Sequence, residues 1–408
     1  MKLTPKGMRD FPPEEAMIRE EARDRIIAIY RRYGFVPMET PALEYLETLR
    51  AKAGEAIDQQ IFVLSDERLA LRFDLTVPLA RVASSLDVPK PFKRYAIGPV
   101  WRKEEPQKGR FREFWQADVD IIGCPGMRAE AELLSVAREV CAEFGFSKPK
   151  ILLNNRKILD ALAKKMDFED KKDETLRLLD KVDKVGRDVV ESEVVKLLGQ
   201  RGEELLDVVS AGKDNEEKLK TVEKTAKEGV EELREIISLC DFDIGIDLSL
   251  VRGLGYYTGP VYEVKLSDEI GTVMAGGRYD GLLGVYGRQD YATGISVGIE
   301  RLITLILEKR KGRKKTCSRI FVACATPELY KNAVQLAAYF RKNGIETETD
   351  LNGRNLRKQF EYVNSLSIPY AVIIGKRELE SGKFTLRDMA SGKEESLREE
   401  EIAARLKA

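Results

Sequence analysis

Residues 250 to 264, LVRGLGYYTGPVYEV, place three glycines, Gly253, Gly255 and Gly259, ahead of a run whose side chains alternate. Val261, Glu263 and Lys265 interleave with Tyr262, Val264 and Leu266, which is strand period. A dinucleotide-binding loop needs GxGxxG and a helix after it, because the third glycine packs that helix on the strand and the phosphates rest on its N-terminus. Here the spacing is GxGxxxG and no helical pattern follows. A doubly wound nucleotide fold is a poor match. The stretch reads instead as an arginine, Arg252, and two tyrosines, Tyr256 and Tyr257, at the start of a strand, forming part of a pocket.

The 408 residues predict two or three domains, each with its own core. Residues 14 to 33 are helical by period and end at Gly34, followed by a strand broken by Pro37 and Pro41. Residues 59 to 82 read as a hairpin turning at Ser65, Asp66 and Glu67, then a helix from Thr76. KRYAIGPVWR and FREFWQADVDIIG read as strands joined through the polar loop KEEPQKG. Residues 127 to 145 look helical. From about 155 to 238 the chain turns to lysine- and glutamate-rich helices with no convincing strand, an inserted helical subdomain. Strand texture resumes at 250 and ends in YATGISVGIERLITLILEK. KRKGRKK, residues 309 to 315, is a linker by composition, and the remainder alternates as α/β.

Sixty-nine acidic and 69 basic residues leave no net charge, so a polyanionic partner must be met by local basic patches. The five cysteines form no CxxC pair, which leaves zinc-finger spacing and a disulfide framework unsupported. No apolar run approaches the roughly 18 residues of a membrane span, and the start carries no apolar secretion core; a cytoplasmic location without membrane attachment is expected. The absence of histidine excludes Ser-His-Asp triads, Cys-His dyads, HExxH sites and imidazole acid–base chemistry together. One reaction type suits such a chain. A substrate carboxylate, already ionised at pH 7, can attack phosphorus without a base, given cations, positioning and a metal.

Three arginine-bearing segments stand out. In WRKEEPQKGRFREFWQADVD, alternation puts Arg102 and Glu104 on one face, and Phe114, Gln116, Asp118 and Asp120 on one face of the return strand. That is a cation for phosphate, an aromatic plate and polar groups for a small ligand; ordinary cross-strand pairing on an exposed hairpin is the competing reading. In GISVGIERL, Gly294 and Gly298 stand where a side chain would block close approach, and Glu300 and Arg301 open a helix; a glycine strand packed under a helix explains the same pattern. Arg252 is the third.

Together and in this order the segments resemble the class II aminoacyl-tRNA synthetases and, within them, the histidyl-tRNA synthetases. Trp101-Arg102-Lys103-Glu104 through Phe114 resembles motif two, GISVGIERL motif three, and ALEYLETL motif one. LVRGLGYYTG and AGGRYDGL resemble the two signatures of histidyl enzymes, and KGMRDFPPEE and RFDLTVPLAR also match, so the likeness spans the chain. It implies an α+β fold: an antiparallel class II catalytic domain over 1–154 and 240–310, a helical insertion over 155–239, a basic linker over 311–318 and an α/β anticodon-binding domain over 319–408. It implies a homodimer that activates L-histidine with ATP and Mg2+ to the adenylate and loads tRNA(His). The metal ligands stay unassigned.

By residue, the resemblance assigns catalysis to Arg252, Arg102 and Arg301, with Arg252 on the pentacovalent phosphate. ATP falls to Arg102, Glu104, Arg110, Phe114 and Arg301. Histidine falls to Asp74, Thr76 and Gln116 for its amino group and to Asp120 and Tyr257 for its ring, with Arg252, Tyr256 and Tyr279 alongside. The tRNA acceptor end falls to Gln107, Lys108 and Arg112 in the motif-two loop. Gly255 stands where the family often has aspartate, and Asp120 where many relatives have glutamate. The rival is a non-catalytic paralogue serving as regulatory subunit of ATP phosphoribosyltransferase; such paralogues generally lack the anticodon module and erode arginines that are present here.

Overall fold

The computed structural model describes residues 4–51, 58–107, 109–251, 255–267, 269–309 and 315–407. It divides into two compact units, Met1–Asp10 with Arg19–Lys309, and Phe11–Ile18 with Arg310–Ala408.

The first unit is built on an eight-stranded sheet. Its strands are β1 (Val36–Pro37), β4 (Phe92–Trp101), β5 (Glu113–Ile122), β6 (Lys150–Asn155), β7 (Gly245–Ile246), β8 (Pro260–Lys265), β9 (Thr272–Arg278) and β10 (Ala292–Gly298), in the order β1-β4-β5-β10-β9-β8-β6-β7. The pairings are antiparallel except β1 with β4 and β6 with β7. β2 (Leu43–Tyr45) and β3 (Leu69–Leu71) form a separate ribbon.

Binary pattern decides how the sheet is covered. Along β5, Ala117, Val119 and Ile121 are buried on one face while Phe114, Gln116, Asp118 and Asp120 turn to the other. On the apolar side lie the helices Ile299–Lys309 and Arg128–Glu143, whose Leu302, Ile303, Leu133, Leu134 and Val140 are buried, each worth about 1.5–3 kcal/mol. The Tyr30 hydroxyl donates to the Ala117 carbonyl at 3.0 Å from the same side. The polar face is left as the wall of a cleft.

Seven α-helices fill Arg156–Leu239, from Arg156–Lys165 to Lys227–Leu239, with no strand among them. They leave the sheet after β6, a strand the sequence reading did not anticipate, and return to it at β7. Asn155 fixes the exit: its side chain accepts from the Lys157 amide at 3.0 Å and donates to Glu232 at 2.6 Å.

The second unit carries a five-stranded mixed sheet. Ile320–Cys324 lies between Thr347–Thr349 and Tyr370–Ile374, both parallel to it, and Phe384–Asp388 and Glu394–Leu397 extend the edge antiparallel. Helices Tyr330–Lys342 and Glu399–Lys407 pack Leu336, Phe340, Ile402 and Leu406 into one core with strand residues Ile320, Val322 and Val372. Of the basic linker expected over 311–318, residues 311–314 lie outside the described residues.

Candidate active site

The polar face of the large sheet opens into a cleft with about 1040 Å³ of empty space, the open solvent at its mouth included. Strand register arranges its floor in rows. Asp120 stands beside Gly294 and then Gly277, Asp118 beside Ser296 and Ala275, and Gln116 beside Gly298, while on the other flank β4 contributes Arg94, Ala96 and Gly98. β5 therefore presents polar groups between strands of mostly small residues.

The two glycines singled out in GISVGIERL behave differently. A Cβ on Gly294 would lie 2.0 Å from Asp120 Oδ1, so close approach of a side chain requires glycine there. A Cβ on Gly298 would meet nothing nearer than the Val273 carbonyl at 3.4 Å, so that position clears space within the cleft rather than within the protein.

At one end Asp74, Thr76, Gln116, Asp118, Asp120, Tyr256, Tyr257 and Tyr279 converge. Asp74 precedes the helix Thr76–Ser85 and accepts from the Val77 amide at 3.0 Å and from the Tyr256 hydroxyl at 3.3 Å. Asp120 accepts from the Tyr279 hydroxyl. Its other oxygen lies 2.9 Å from Nη2 of Arg94, a fully buried arginine whose aligned hydrogen bond goes to the Leu75 carbonyl at 3.0 Å, so charge holds the carboxylate and guanidinium together. Gln116 donates to Ser296 at 2.8 Å. Burial raises the carboxyl pKa values of Asp74 and Asp120 and, with the Asp120 charge beside it, pushes Asp118 up to about 7, against the pull of Arg94. Tyr256 and Tyr279 meet edge to face with centroids 5.9 Å apart, and burial keeps both phenols protonated.

The other end is cationic and aromatic. Arg102 donates to the Phe73 carbonyl at 2.9 Å and lies 5.2 Å from the Phe114 ring centre. Strand β4 stops at Trp101, so alternation is not what carries Arg102 and Glu104 to the cleft; they reach it from the loop after the strand. Glu104 pairs with Arg110, and Gln107 and Arg110 exchange backbone hydrogen bonds to close a tight turn. Arg301 donates to the Thr272 carbonyl. Glu300 accepts from the Trp115 amide at 2.7 Å, and burial pushes its carboxyl up to about 7.

Arg252 and Lys108 lie outside the described residues. Gln107 and Arg112 do not line the cleft; the Arg112 guanidinium donates to the Glu104 carbonyl at 3.0 Å and pairs with Glu105. The sequence reading missed Arg94, and it placed Asp118 on the right face without a role. Only cross-strand register reveals the first; the alternation of Gln116, Asp118 and Asp120 was signal enough for the second.

A family model described as histidyl-tRNA synthetase matches residues 7–302. The chain belongs to the histidyl-tRNA synthetase family. A second model, the anticodon binding domain, matches residues 319–408. Among similar histidine–tRNA ligases, that of Aeropyrum pernix is 39% identical over 95% of this chain and 94% of its own length. That of Porphyromonas gingivalis is 36% identical over 96% of both. The crystal structure of histidyl-tRNA synthetase from Nostoc sp. PCC 7120 superposes with a TM-score of 0.85 at 30% identity, covering 99% of this chain and 98% of that one. The cleft is lined by residues within 7–302, and the residues matched by the second model follow in the chain. Among the described residues, no helix is long and apolar enough to cross a membrane.

Proposed function

We propose that this chain is a histidine–tRNA ligase, which activates L-histidine with ATP and transfers it to the 3' end of tRNA(His). One observation carries the reading: a single trough along β5 joins a cationic, aromatic end to an end lined with carboxylates and tyrosines, with nothing but small residues between them on the neighbouring strands. The family supplies ATP as the co-substrate.

In the first step a carboxylate oxygen of histidine attacks the α-phosphorus, the bond to pyrophosphate breaks, and pyrophosphate leaves with the electron pair. No proton moves, which suits a chain without histidine. Arg102 and, from the sequence, Arg252 offset the charge that develops on phosphorus. Phe114 and Arg301 take the two faces of the adenine, with Glu104 and Arg110 at its edge. Asp74, Thr76 and Gln116 take the amino group. Asp120, Tyr257 and Tyr279 surround the ring, and an apolar competitor would leave those groups unpaired. Tyr256 braces Asp74.

Among the described residues no three acidic groups cluster as a metal cage. Glu300, with one buried oxygen lacking a hydrogen-bond partner, fits a Mg2+ that arrives on the phosphates of ATP and takes a carboxylate from the protein. Bound there, the ion would neutralise phosphate charge. Gln107 and Lys108 meet the acceptor end of the tRNA; Arg112 shapes the loop that presents them. The protein works as a homodimer in the cytoplasm.

The test is pyrophosphate–ATP exchange with each amino acid in turn, run beside Arg102→Ala and Arg252→Ala. Exchange with histidine alone, lost in both variants, is the expected result. Histidine binding without exchange would move the assignment to a regulatory paralogue.

A further inference from the structure

Three carboxylates line the deep end of the cleft, and they are not equivalent. Asp74 has both oxygens engaged, by the Val77 amide and the Tyr256 hydroxyl. Asp120 has one oxygen on Tyr279; the other accepts no hydrogen bond but lies 2.9 Å from the Arg94 guanidinium, which offsets its charge. Asp118 is 3% exposed, and its Oδ1 is buried with no hydrogen-bond partner. The cations around it do not supply one. Arg72 donates to the carbonyls of Pro99 and Thr40, Arg102 to that of Phe73, and Arg94 to that of Leu75; Arg94 Nε and Nη1 are themselves buried without a partner, and they are not bonded to the Asp118 oxygen. A buried carboxylate oxygen left without a donor costs on the order of a lost hydrogen bond or more, so the site is completed by something that enters the cleft.

Resting on the histidine reading above, we infer that Asp118 is a further binding residue for the substrate: its free Oδ1 accepts from the α-ammonium group, with Arg94 positioning Asp120 so that Asp118 is left for the ligand. The ammonium is the favoured partner because Asp118 feels the charges of both Asp74, from the helix start, and Asp120, from its own strand. A cation relieves that repulsion, whereas a neutral ring N–H leaves it standing. The other groups around Asp118 are Arg94 from β4, Arg72 after β3 and Ser296 from β10, with the Tyr30 hydroxyl of the helix Pro13–Arg32 behind the sheet on its apolar side. With the cleft empty, burial keeps a proton on Asp118 near neutrality; an arriving ammonium displaces it.

Calorimetric binding to the full-length protein tests this with two probes. L-Histidinol keeps the ammonium and the ring; 3-(imidazol-4-yl)propionate keeps the ring and lacks the ammonium. In Asp118→Asn, Kd for histidinol rises at least about tenfold while Kd for the propionate is unchanged or falls. Equal change for both probes, or none, overturns the inference. Should that variant fail to fold, Asp118→Ser takes its place against the same two probes, with the same outcome expected and the same outcome overturning the inference. A wild type that binds neither histidine nor histidinol and shows no exchange removes the histidine reading, and this inference falls with it.

Discussion

Gly294→Ala and Gly298→Ala make the same chemical change two turns of the pleat apart in one strand, and the structure separates their outcomes. At 294 the new methyl would sit 2.0 Å from Asp120 Oδ1 and 3.0 Å from the Val119 carbonyl. The carboxylate oxygen must retreat by roughly 1.4 Å to regain ordinary contact, and Tyr279 and Arg94 hold it where it is. Overpacking of this kind costs about 1–3 kcal/mol. A Tm several degrees lower follows, with KM for histidine raised at least about tenfold because the ring's acceptor is displaced. At 298 the methyl has ordinary contacts with its own protein, so Tm should stay within about a degree. Its volume is taken from the nucleotide end, so KM for ATP rises and KM for histidine does not. Thermal unfolding and exchange kinetics with each substrate varied separately read all four quantities. A Gly294→Ala protein with wild-type Tm and histidine KM, or a Gly298→Ala protein that raises the histidine KM alone, would refute this reasoning.

Three other outcomes follow. Arg278 makes a bidentate buried pair with Glu130 at 2.8 and 2.9 Å, so Arg278→Ala strands a buried carboxylate and should cost about 3–5 kcal/mol in chemical denaturation; a loss under about 1 kcal/mol would contradict it. Asp118 and Glu300 titrate near 7 when folded, against about 4 when unfolded. Between those values the folded chain binds more protons, so the stability of the ligand-free protein should fall as pH rises from about 4 to about 7, by on the order of 3–4 kcal/mol for each group, and level off above; a flat profile from pH 5 to 7 would count against it. Glu104→Gln removes the partner of Arg110 and should raise KM for ATP with KM for histidine unchanged.

Much of the site is written in local pattern. The hairpin of β4 and β5 follows from two alternating runs around a polar loop, and GISVGIERL announces a glycine strand entering a helix. The stretch after LVRGLGYYTG becomes β8, as its period requires. What the sequence hides is register. Arg94 looks like one more basic residue in KRYAIGPVWR until Asp120, on the next strand, is found directly opposite. Glu130 lies on a helix 148 residues before Arg278, and no local pattern links them. The run ILLNN after a lysine is too short for its period to separate a strand from a helix, and only its pairing with β8 across the helical insertion makes it β6. Alternation also misled in one place: Arg102 and Glu104 share the cleft because the chain leaves the strand at Trp101, not because they share a pleat.

The central claim is that this cleft makes histidyl-tRNA, and single-turnover charging tests it most directly. The purified protein, ATP, Mg2+ and labelled L-histidine are mixed with a tRNA(His) transcript or with a transcript of another identity, and the charged product is resolved on acid gels. The account predicts charging of tRNA(His) with histidine alone, abolished by Arg102→Ala. Folded protein that forms no histidyl-tRNA, or that charges with another amino acid equally well, would contradict it.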